Sequence, residues 1–294
     1  MFARRFIAEV KQRQPDLPCS FSFGYSMEHP QLWEAIRFLR AIGSPQAEFL
    51  QCDGMKNRDA QECEWFSKKL AEEGVKHLNF TFYGLSAYHD LFAKRKGDFD
   101  LLIRMMTAAA HAGLDISAGI PLTKENAAQV DGLIGILRKQ PCEKITLFIP
   151  HEEGKGAALA PARLVEDDLL MLSSDAQRLI NRSIYRPERE WVTGQGFTEE
   201  TKRTIIISLR EDNIERYEGM SAQNLIAEIE ALDDDYYAAF PGFLELAKRY
   251  GDPSGKKLYR QRDLFHHYRR MFAQDTGIAV YDVTDERQSG SRRY

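Results

Sequence analysis

The sequence predicts an α/β fold, in which a parallel sheet is followed by a mostly helical C-terminal region. From about Ser20 to Pro150, short apolar runs alternate with longer amphipathic ones, the pattern of repeated βα units. After Pro161 the alternation stops and longer helical stretches follow. The 294 residues, 43% hydrophobic and 29% charged, have a globular composition, which argues against a disordered or fibrous protein and allows one large or two medium domains.

Short apolar runs mark the candidate strands of the sheet. They are Ser20–Gly24, Ala47–Gln51, His77–Phe82, Asp115–Leu122 and Lys144–Pro150. Apolar residues at helical spacing follow each of the first four, which predicts a core-facing helix after each strand. Gly43, Gly74 and Gly113 stand where helix C-caps belong, shortly before the next strand.

Helices are predicted at both ends of the chain. The spacing of Phe2, Phe6, Ile7 and Val10 indicates an N-terminal helix over Phe2–Gln14. The C-terminal region has four candidate helices and one strand candidate, which are Val165–Ile180, Ser221–Leu232, Phe243–Tyr250, Asp263–Gln274 and, as the strand, Thr204–Leu209.

The balance of charged residues does not indicate a class of binding partner. Forty Lys and Arg against 44 Asp and Glu give a net charge of -4, so no global field favours nucleic acid or an anionic membrane. No run approaches the ~18 apolar residues of a transmembrane helix, and the first residues lack the apolar segment of a secretory signal. We therefore expect a cytoplasmic protein that binds neither nucleic acid nor membrane, and whose partner is a peptide, a protein or a small molecule.

The four cysteines show no metal-binding spacing. Cys19, Cys52, Cys63 and Cys142 form no CxxC pair and no short Cys/His ladder. The expectation is four free thiols, some of them buried as small apolar residues. The alternative is that Cys52 and Cys63 approach one another across a strand-to-helix connection.

The loops after the strands are where chemistry is expected. In a parallel βα architecture, ligands bind at the C-terminal ends of the strands, because loops and helix N-termini converge there. The loops at those ends, rich in Gly, Pro and polar residues, are 24–30, 52–57, 83–90, 121–126 and 150–156. Gly154 and Gly156 flank a lysine, so backbone N–H groups there suit a phosphate, carboxylate or ribose, although a tight turn is the commoner use of such glycines.

One pair of neighbouring residues has both a chemical and a structural interpretation. His89 and Asp90 suit a base with its orienting carboxylate, or metal ligands together with His151 and Glu152 from another strand end. The structural alternative is that the pair caps a helix. No Ser/His/Asp or Cys/His set is indicated by spacing, so no nucleophile is predicted.

A series of short motifs follows one another between residues 74 and 156. A strand ends in Thr-Phe-Tyr-Gly, then come His-Asp, Gly-Asp-Phe with its helix, a strand before Leu-Thr-Lys-Glu-Asn, and a loop with Pro and Gly, at residues 74–84, 89–90, 96–113, 115–126 and 148–156. In this order they resemble the core domain of the radical S-adenosylmethionine (radical SAM) family. The resemblance covers about residues 20–163 and implies a partial (βα) barrel of parallel strands, with S-adenosylmethionine bound at the strand C-termini.

The implied domains are an N-terminal helix and linker over 1–19, a radical-SAM-like partial barrel over 20–163 and a mostly helical C-terminal region over 164–294. The chain also departs from the family. It has no CxxxCxxC loop, so a [4Fe–4S] cluster is not supported by this chain, and the family's first strand has no counterpart. Aligned on His29-Pro30, Tyr25 replaces the glutamate of the family's Gly-Gly-Glu-Pro motif. Asp53-Gly54 stands for the usual Asn-Gly and keeps the turn.

The resemblance leaves three functions open. The first is a diverged binding or accessory protein that has lost cluster chemistry, and S-adenosylmethionine remains a possible ligand. The second is a radical enzyme whose cluster strand is missing from this chain, and the third and weakest is a metal-dependent hydrolase on a small barrel. Strand-end position and family match together select the candidate binding residues, which are Tyr25, Asp53, Thr81, Tyr83, Pro121, Asn126, Pro150, Gly154 and Gly156.

The predicted first strand raises a question of solubility. Ser20–Gly24 is apolar and carries no charge or proline to guard an open edge, which makes it an aggregation hazard if exposed. We expect the helix Phe2–Gln14 to cover this edge, because its apolar stripe has no other evident partner in the sequence.

Overall fold

The computed structural model describes residues 2–19, 26–152, 154–194, 207 and 213–278. The α-helices of these residues are α1 (Phe2–Arg13), α2 (Leu32–Ala41), α3 (Ala60–Glu72), α4 (Ser86–Ala93), α5 (Asp98–His111), α6 (Val130–Leu137), α7 (Ser174–Arg178), α8 (Glu188–Thr193), α9 (Ile214–Glu218), α10 (Ala222–Ala238), α11 (Phe243–Tyr250) and α12 (Gln261–Thr276). The strands are β1 (Phe49–Gln51), β2 (His77–Thr81), β3 (Asp115–Pro121), β4 (Lys144–Phe148), β5 (Arg186–Pro187) and β6 (Leu258–Tyr259).

The chain forms two compact units. The sheet unit contains Pro18–Phe148 and Asp168–Asn181, and the helical unit contains Met1–Leu17, Ile149–Asp167 and Arg182–Tyr294. Each unit contains segments that are far apart in the sequence. The sequence pattern and the family resemblance instead predict three continuous ranges, 1–19, 20–163 and 164–294. Those ranges stay a prediction about domains.

The sheet unit confirms the predicted α/β fold with parallel strands. β1 to β4 lie side by side in chain order, and every neighbouring pair is parallel. Four of the predicted strands are present within a residue or two, and the fifth, Ser20–Gly24, lies outside the described residues. Among the described residues the sheet is open, with β1 at one edge and β4 at the other, where Leu147 forms a single parallel bridge to Ile180.

The first described strand is shorter than the apolar run predicts. A 3₁₀ turn over Pro45–Ala47 replaces its beginning, and only Phe49–Gln51 pairs with β2. Pro45 explains the turn, since a proline at the first position of a helical turn needs no N–H partner and has its φ already set.

Helices cover one face of the sheet. Successive side chains of a strand lie on opposite faces, and Leu78 and Phe80 of β2 are fully buried while His77, Asn79 and Thr81 are half-buried. α5 contacts both β3 and α3, so the apolar face and the helices share one core. Each large side chain buried there contributes ~1.5–3 kcal/mol.

The predicted helix C-caps are confirmed. Gly43, Gly74 and Gly113 have φ values of 70°, 77° and 77°, in the left-handed region that ends a helix. At Gly74 a Cβ would lie 2.5 Å from the Arg40 guanidinium, but that group ends a flexible side chain and can move, so φ is the reason for glycine there.

The C-terminal helices are largely as predicted, with one exception. α11 matches Phe243–Tyr250, α12 contains Asp263–Gln274, and α10 contains all of Ser221–Leu232 but its first residue. The strand candidate Thr204–Leu209 lies mostly outside the described residues. Val165–Ile180 is wrong as one helix, because a 3₁₀ segment over Glu166–Met171 precedes α7. Ser173 separates the two: its backbone is extended and its hydroxyl accepts the N–H of Ala176, so it begins a new helix.

The N-terminal helix has a partner inside the helical unit. Phe2, Ile7 and Val10 of α1 are buried, and Phe2 belongs to an apolar cluster with Leu225 and Ile229 of α10. The premise that this stripe has nothing else to pack against is therefore wrong. Cover of the Ser20–Gly24 edge by α1 stays a prediction, since that segment is outside the described residues.

Candidate functional site

The face of the parallel sheet opposite Leu78 and Phe80 carries a row of polar side chains. The register places Gln51, Asn79 and Ser117 beside one another across β1, β2 and β3, and Thr81 beside Gly119 one step further along. Parallel sheets are usually apolar and covered on both faces. A polar face of half-buried Gln, Asn and Thr is therefore the feature of this unit that calls for a functional explanation.

Hydrogen bonds organise this polar row. The Gln51 amide donates to the Thr81 hydroxyl at 2.9 Å, and the Asn79 amide donates to the Ser117 hydroxyl at 2.6 Å. Ser117 Oγ is also 2.7 Å from His77 Nε2, to which it can donate its own proton. The amide and hydroxyl groups are thereby held in fixed orientations, which lowers the entropy cost of binding a polar ligand.

Asp53 extends the row beyond the C-terminal end of β1. Packing around this carboxyl, although it stays accessible to solvent, raises the pKa of Asp53 above its ordinary value, and the negative charge of Asp98 adds to the rise. Hydrogen bonds from Gln51 and Thr81 act in the opposite direction on the same pKa. The result is a carboxyl group that can exchange a proton or accept a hydrogen bond beside Thr81.

Asn126 ties two strand ends together. It is 2% exposed, and its amide donates to the Pro121 carbonyl at 2.7 Å and to the Tyr83 carbonyl at 2.8 Å. Its side-chain oxygen accepts the Thr123 N–H at 2.9 Å. Asn126 therefore holds the loops after β2 and β3 in place, and a direct contact with a ligand would have to displace one of these bonds.

Tyr83 belongs to an aromatic cluster at the same end of β2. Its ring stacks on Phe92 at 4.3 Å, and its backbone N–H donates to Nδ1 of the fully buried His89. The other ring nitrogen of His89 is 3.2 Å from a carboxylate oxygen of Asp98. His89 thus joins the loop after β2 to the start of α5.

Asp90 has the structural role that the sequence left as an alternative. Its carboxylate accepts the backbone N–H groups of Gly97 and Phe99, at 2.5 and 3.0 Å, at the beginning of α5. These bonds lower the pKa of Asp90 although burial opposes them. His89 and Asp90 are in the sheet unit while His151 and Glu152 are in the helical unit, and the described residues contain no group of three metal-ligating side chains.

The nine predicted site residues fall into three groups. Asp53, Thr81, Tyr83, Pro121 and Asn126 are in the sheet unit; Pro150, Gly154 and Gly156 are in the helical unit; Tyr25 lies outside the described residues. The five residues of the sheet unit lie at or just after the C-terminal ends of β1, β2 and β3. Their role in binding remains a prediction.

Two of the predicted loop residues in the helical unit have visible structural roles. The Pro150 carbonyl accepts a hydrogen bond from Arg163 at 2.9 Å. A Cβ at Gly156 would be 2.3 Å from the His151 carbonyl oxygen, so only glycine allows this close approach. Gly154 begins a 3₁₀ segment that ends at Ala162. These contacts agree with the tight-turn interpretation of the glycines.

A buried ionic network in the helical unit was not predicted. The Glu152 carboxylate lies 3.0 Å from Arg163 and 2.8 Å from Arg270, and 3.1 Å from His267. Burial alone would raise the pKa of Glu152, but the His267 hydrogen bond and the two arginine charges overcome it and lower the pKa. The sequence signal was weak, since Glu152 and Arg270 are 118 residues apart.

Asp263 belongs to the same network. It is fully buried, forms a two-bond pair with Arg260 at 2.7 and 2.8 Å and accepts the Glu152 backbone N–H at 3.1 Å. Burial would raise the pKa of Asp263, but hydrogen bonds from Arg260 and His151 hold it well below its usual range. Both carboxylates are thus charged at neutral pH and compensated.

The cysteines are four free thiols, as expected. Cys52 and Cys63 are buried, while Cys19 and Cys142 are partly exposed. Burial is the main cause that raises the pKa of Cys52, Cys63 and Cys142. Within the described residues, these thiols belong to no group of three side chains that could hold a metal ion.

No protein-family model matches the sequence, and no curated protein matches it significantly. Within the described residues, every helix is too short or too polar to cross a membrane. The candidate site therefore stands on the geometry of the sheet unit alone.

Proposed function

We propose that this protein binds a small polar ligand on the polar face of its parallel sheet, without an iron–sulfur cluster of its own. The observation that carries the proposal is the ordered row of Gln51, Asn79, Thr81 and Ser117 on a sheet face that is apolar in most parallel sheets. On this proposal the sheet unit is a partial (βα) barrel of the radical SAM type, and the polar row faces its interior.

The chemistry of the row limits the ligand. Amides and hydroxyls both donate and accept hydrogen bonds, and the Asp53 carboxyl adds an acceptor at the strand ends. This combination suits a ligand with several hydroxyl, amine or ring-nitrogen groups, such as a nucleoside or S-adenosylmethionine. The sequence expectation of no nucleic acid and no membrane partner, and the cytoplasmic location, remain predictions.

The second candidate is a radical enzyme whose cluster strand is missing from this chain. The described residues contain no group of three side chains that could hold a metal ion, which argues against cluster ligation by that part of the chain. The preserved order of the later loops is what keeps the candidate open. The metal-dependent hydrolase remains the weakest reading, because the described His, Cys, Asp and Glu side chains form no three-ligand group.

Titration calorimetry with S-adenosylmethionine and with adenosine tests the proposal. We expect saturable binding weaker than micromolar, or weaker than about -8 kcal/mol, because the family's methionyl anchors are absent. Thr81→Val should weaken binding about 10-fold, which corresponds to ~1.4 kcal/mol, because it removes a hydroxyl on the polar face.

Thr107→Val is the matched control. Thr107 is an exposed threonine on α5 whose hydroxyl donates to the Ile103 carbonyl, so it has no contact with the polar row. Its replacement should leave the affinity unchanged. Binding that is equally strong in the Thr81→Val and wild-type proteins would contradict the assignment of the site.

A further inference from the structure

A second concave surface in the sheet unit has a different chemistry. A groove of ≈ 230 Å³ lies between the start of α2 and the segment that leads into α3. Trp33, Lys56, Arg58, Trp65 and Phe66 are among the residues that line it, and we call it the tryptophan groove. It shares no residue with the polar row of the sheet.

The apolar part of the groove is aromatic. Phe66 is buried beneath it, and the Trp33 ring lies 5.5 Å from the Phe66 ring. Trp65 has 63% of its surface exposed, which is a large apolar area to leave in water on a helix. An exposed tryptophan in a groove that a second indole also lines is typical of surfaces that bind a partner.

The polar groups of the groove that lack partners are donors. Arg58 is 6% exposed, and its Nη1 contacts Glu28 at 2.5 Å, while its Nε and Nη2 have no hydrogen-bond partner among the described residues. In the same part of the chain, the indole N–H groups of Trp33 and Trp65 and the Lys56 ammonium also have none.

Each of the two carboxylates of the groove uses one oxygen inside the protein. Glu28 accepts the Lys56 backbone N–H at 2.9 Å in addition to its pair with Arg58, and Glu62 accepts the Asp59 N–H at 2.9 Å. An occupant that supplies acceptors and apolar rings would therefore complement the unpaired donors and the indoles of the groove.

We propose that the tryptophan groove binds a proline-rich segment of a partner protein in the polyproline II conformation. Proline has a carbonyl acceptor but no backbone N–H, so such a segment matches a surface of unpaired donors. Its rings pack on indoles, and its extended conformation is formed before binding, which reduces the entropy cost. The Arg58–Glu28 pair is neutral overall, which suits an uncharged segment.

Tryptophan fluorescence with a decaproline peptide is the direct test. The chain has three tryptophans. Two of them, Trp33 and Trp65, line the groove, and the third is Trp191. We expect a saturable change in emission on adding decaproline and none with a Gly/Ser peptide of equal length. In fluorescence polarisation with labelled decaproline, Trp65→Ala should weaken binding at least 10-fold.

Leu170→Ala is the control for loss of an exposed apolar side chain, since Leu170 is 82% exposed and does not line the groove. It should bind decaproline like the wild type. Absence of saturable binding, equal binding of the Gly/Ser peptide, or full affinity in Trp65→Ala would each overturn the proposal. So would Trp65-dependent binding of caffeine, a neutral planar ring, without any binding of decaproline.

Discussion

At the scale of single residues, hydrogen bonding divides the polar side chains near the strand ends into two kinds. Asp53 and Thr81 lie at one end of the sheet. The side chains of Asn126 and Asp90, in contrast, form hydrogen bonds with backbone groups of the protein itself. Spacing along the chain cannot distinguish these cases, because the partners of Asn126 include the Tyr83 carbonyl, 43 residues away. The row formed by Gln51, Asn79 and Ser117 was missed for the same reason.

Asn126→Ala should destabilise the sheet unit strongly. It leaves the buried carbonyl of Pro121 and the buried N–H of Thr123 without a partner, which we expect to cost ~2–4 kcal/mol of unfolding free energy. Urea unfolding measures the change. Lys124→Ala, at the exposed neighbouring position, should stay within about 0.5 kcal/mol of the wild type. Equal stability of both variants would show that the Asn126 bonds are not structural.

Anaerobic reconstitution with iron and sulfide should not yield a stable cluster on this chain. Cys52 and Cys63 are buried, and burial raises the pKa of both thiols, so the thiolate ligands that a cluster needs are disfavoured. Iron analysis after gel filtration is the measurement. About four irons per chain, the content of one [4Fe–4S] cluster, would refute the expectation.

At the scale of elements, apolar periodicity predicts strands and helices well and their ends less well. Phe243–Tyr250 matches α11 because a single amphipathic stripe and a following glycine define it. Val165–Ile180 is not one helix, since Ser173 begins a new one and Leu170 and Met171 point to solvent. A hydroxyl that caps the next turn competes with helix continuation, and apolar spacing carries no information about that competition.

Two glycine substitutions should act in opposite directions. Gly156→Ala places a Cβ 2.3 Å from the His151 carbonyl oxygen, so the backbone must move and the protein should lose stability. Gly135→Ala in α6 meets no atom within 4 Å, so the better helix former should stabilise the protein by about 0.5–1 kcal/mol. Thermal unfolding of both variants checks this. A stabilising Gly156→Ala would contradict the close approach.

At the scale of the whole molecule, the sequence predicts the α/β class and the parallel sheet. It does not predict which segments belong to each of the two compact units. The helical unit joins α1 to segments more than 130 residues later, through packing of Phe2 with Leu225 and Ile229. Its ionic network links Glu152 to Asp263 and Arg270. Contacts between residues so far apart in the sequence depend on the folded topology, and no local sequence pattern indicates them.

The network should make stability fall in acid. The pKa of Glu152 and of Asp263 is lower in the folded protein than in the unfolded chain, so the unfolded state binds more protons as the pH falls. Their contribution is fully present above the unfolded pKa values of about 4 and is lost as the pH falls through the folded ones.

Urea unfolding at several pH values with Glu152→Gln tests this contribution. At pH 7 the variant should lose ~3–5 kcal/mol, because Arg163 and Arg270 lose the carboxylate that compensates them, and its stability should vary less between pH 5 and pH 3. Glu166→Gln, which breaks an exposed pair with Arg189, should have a smaller effect. Parallel pH profiles for the wild type and Glu152→Gln would show that this carboxylate does not contribute.

The location of bound ligand on the sheet is the most direct test of the central claim. Hydrogen exchange should be measured with and without saturating S-adenosylmethionine on the purified chain, in the presence of an iron chelator. We predict slower exchange in the segments 79–83 and 117–123, which carry the polar row and its strand ends, and no change in α1 or α10. Protection confined to other segments, or none at a concentration where calorimetry shows binding, would contradict the claim that the polar face of the sheet is the binding site.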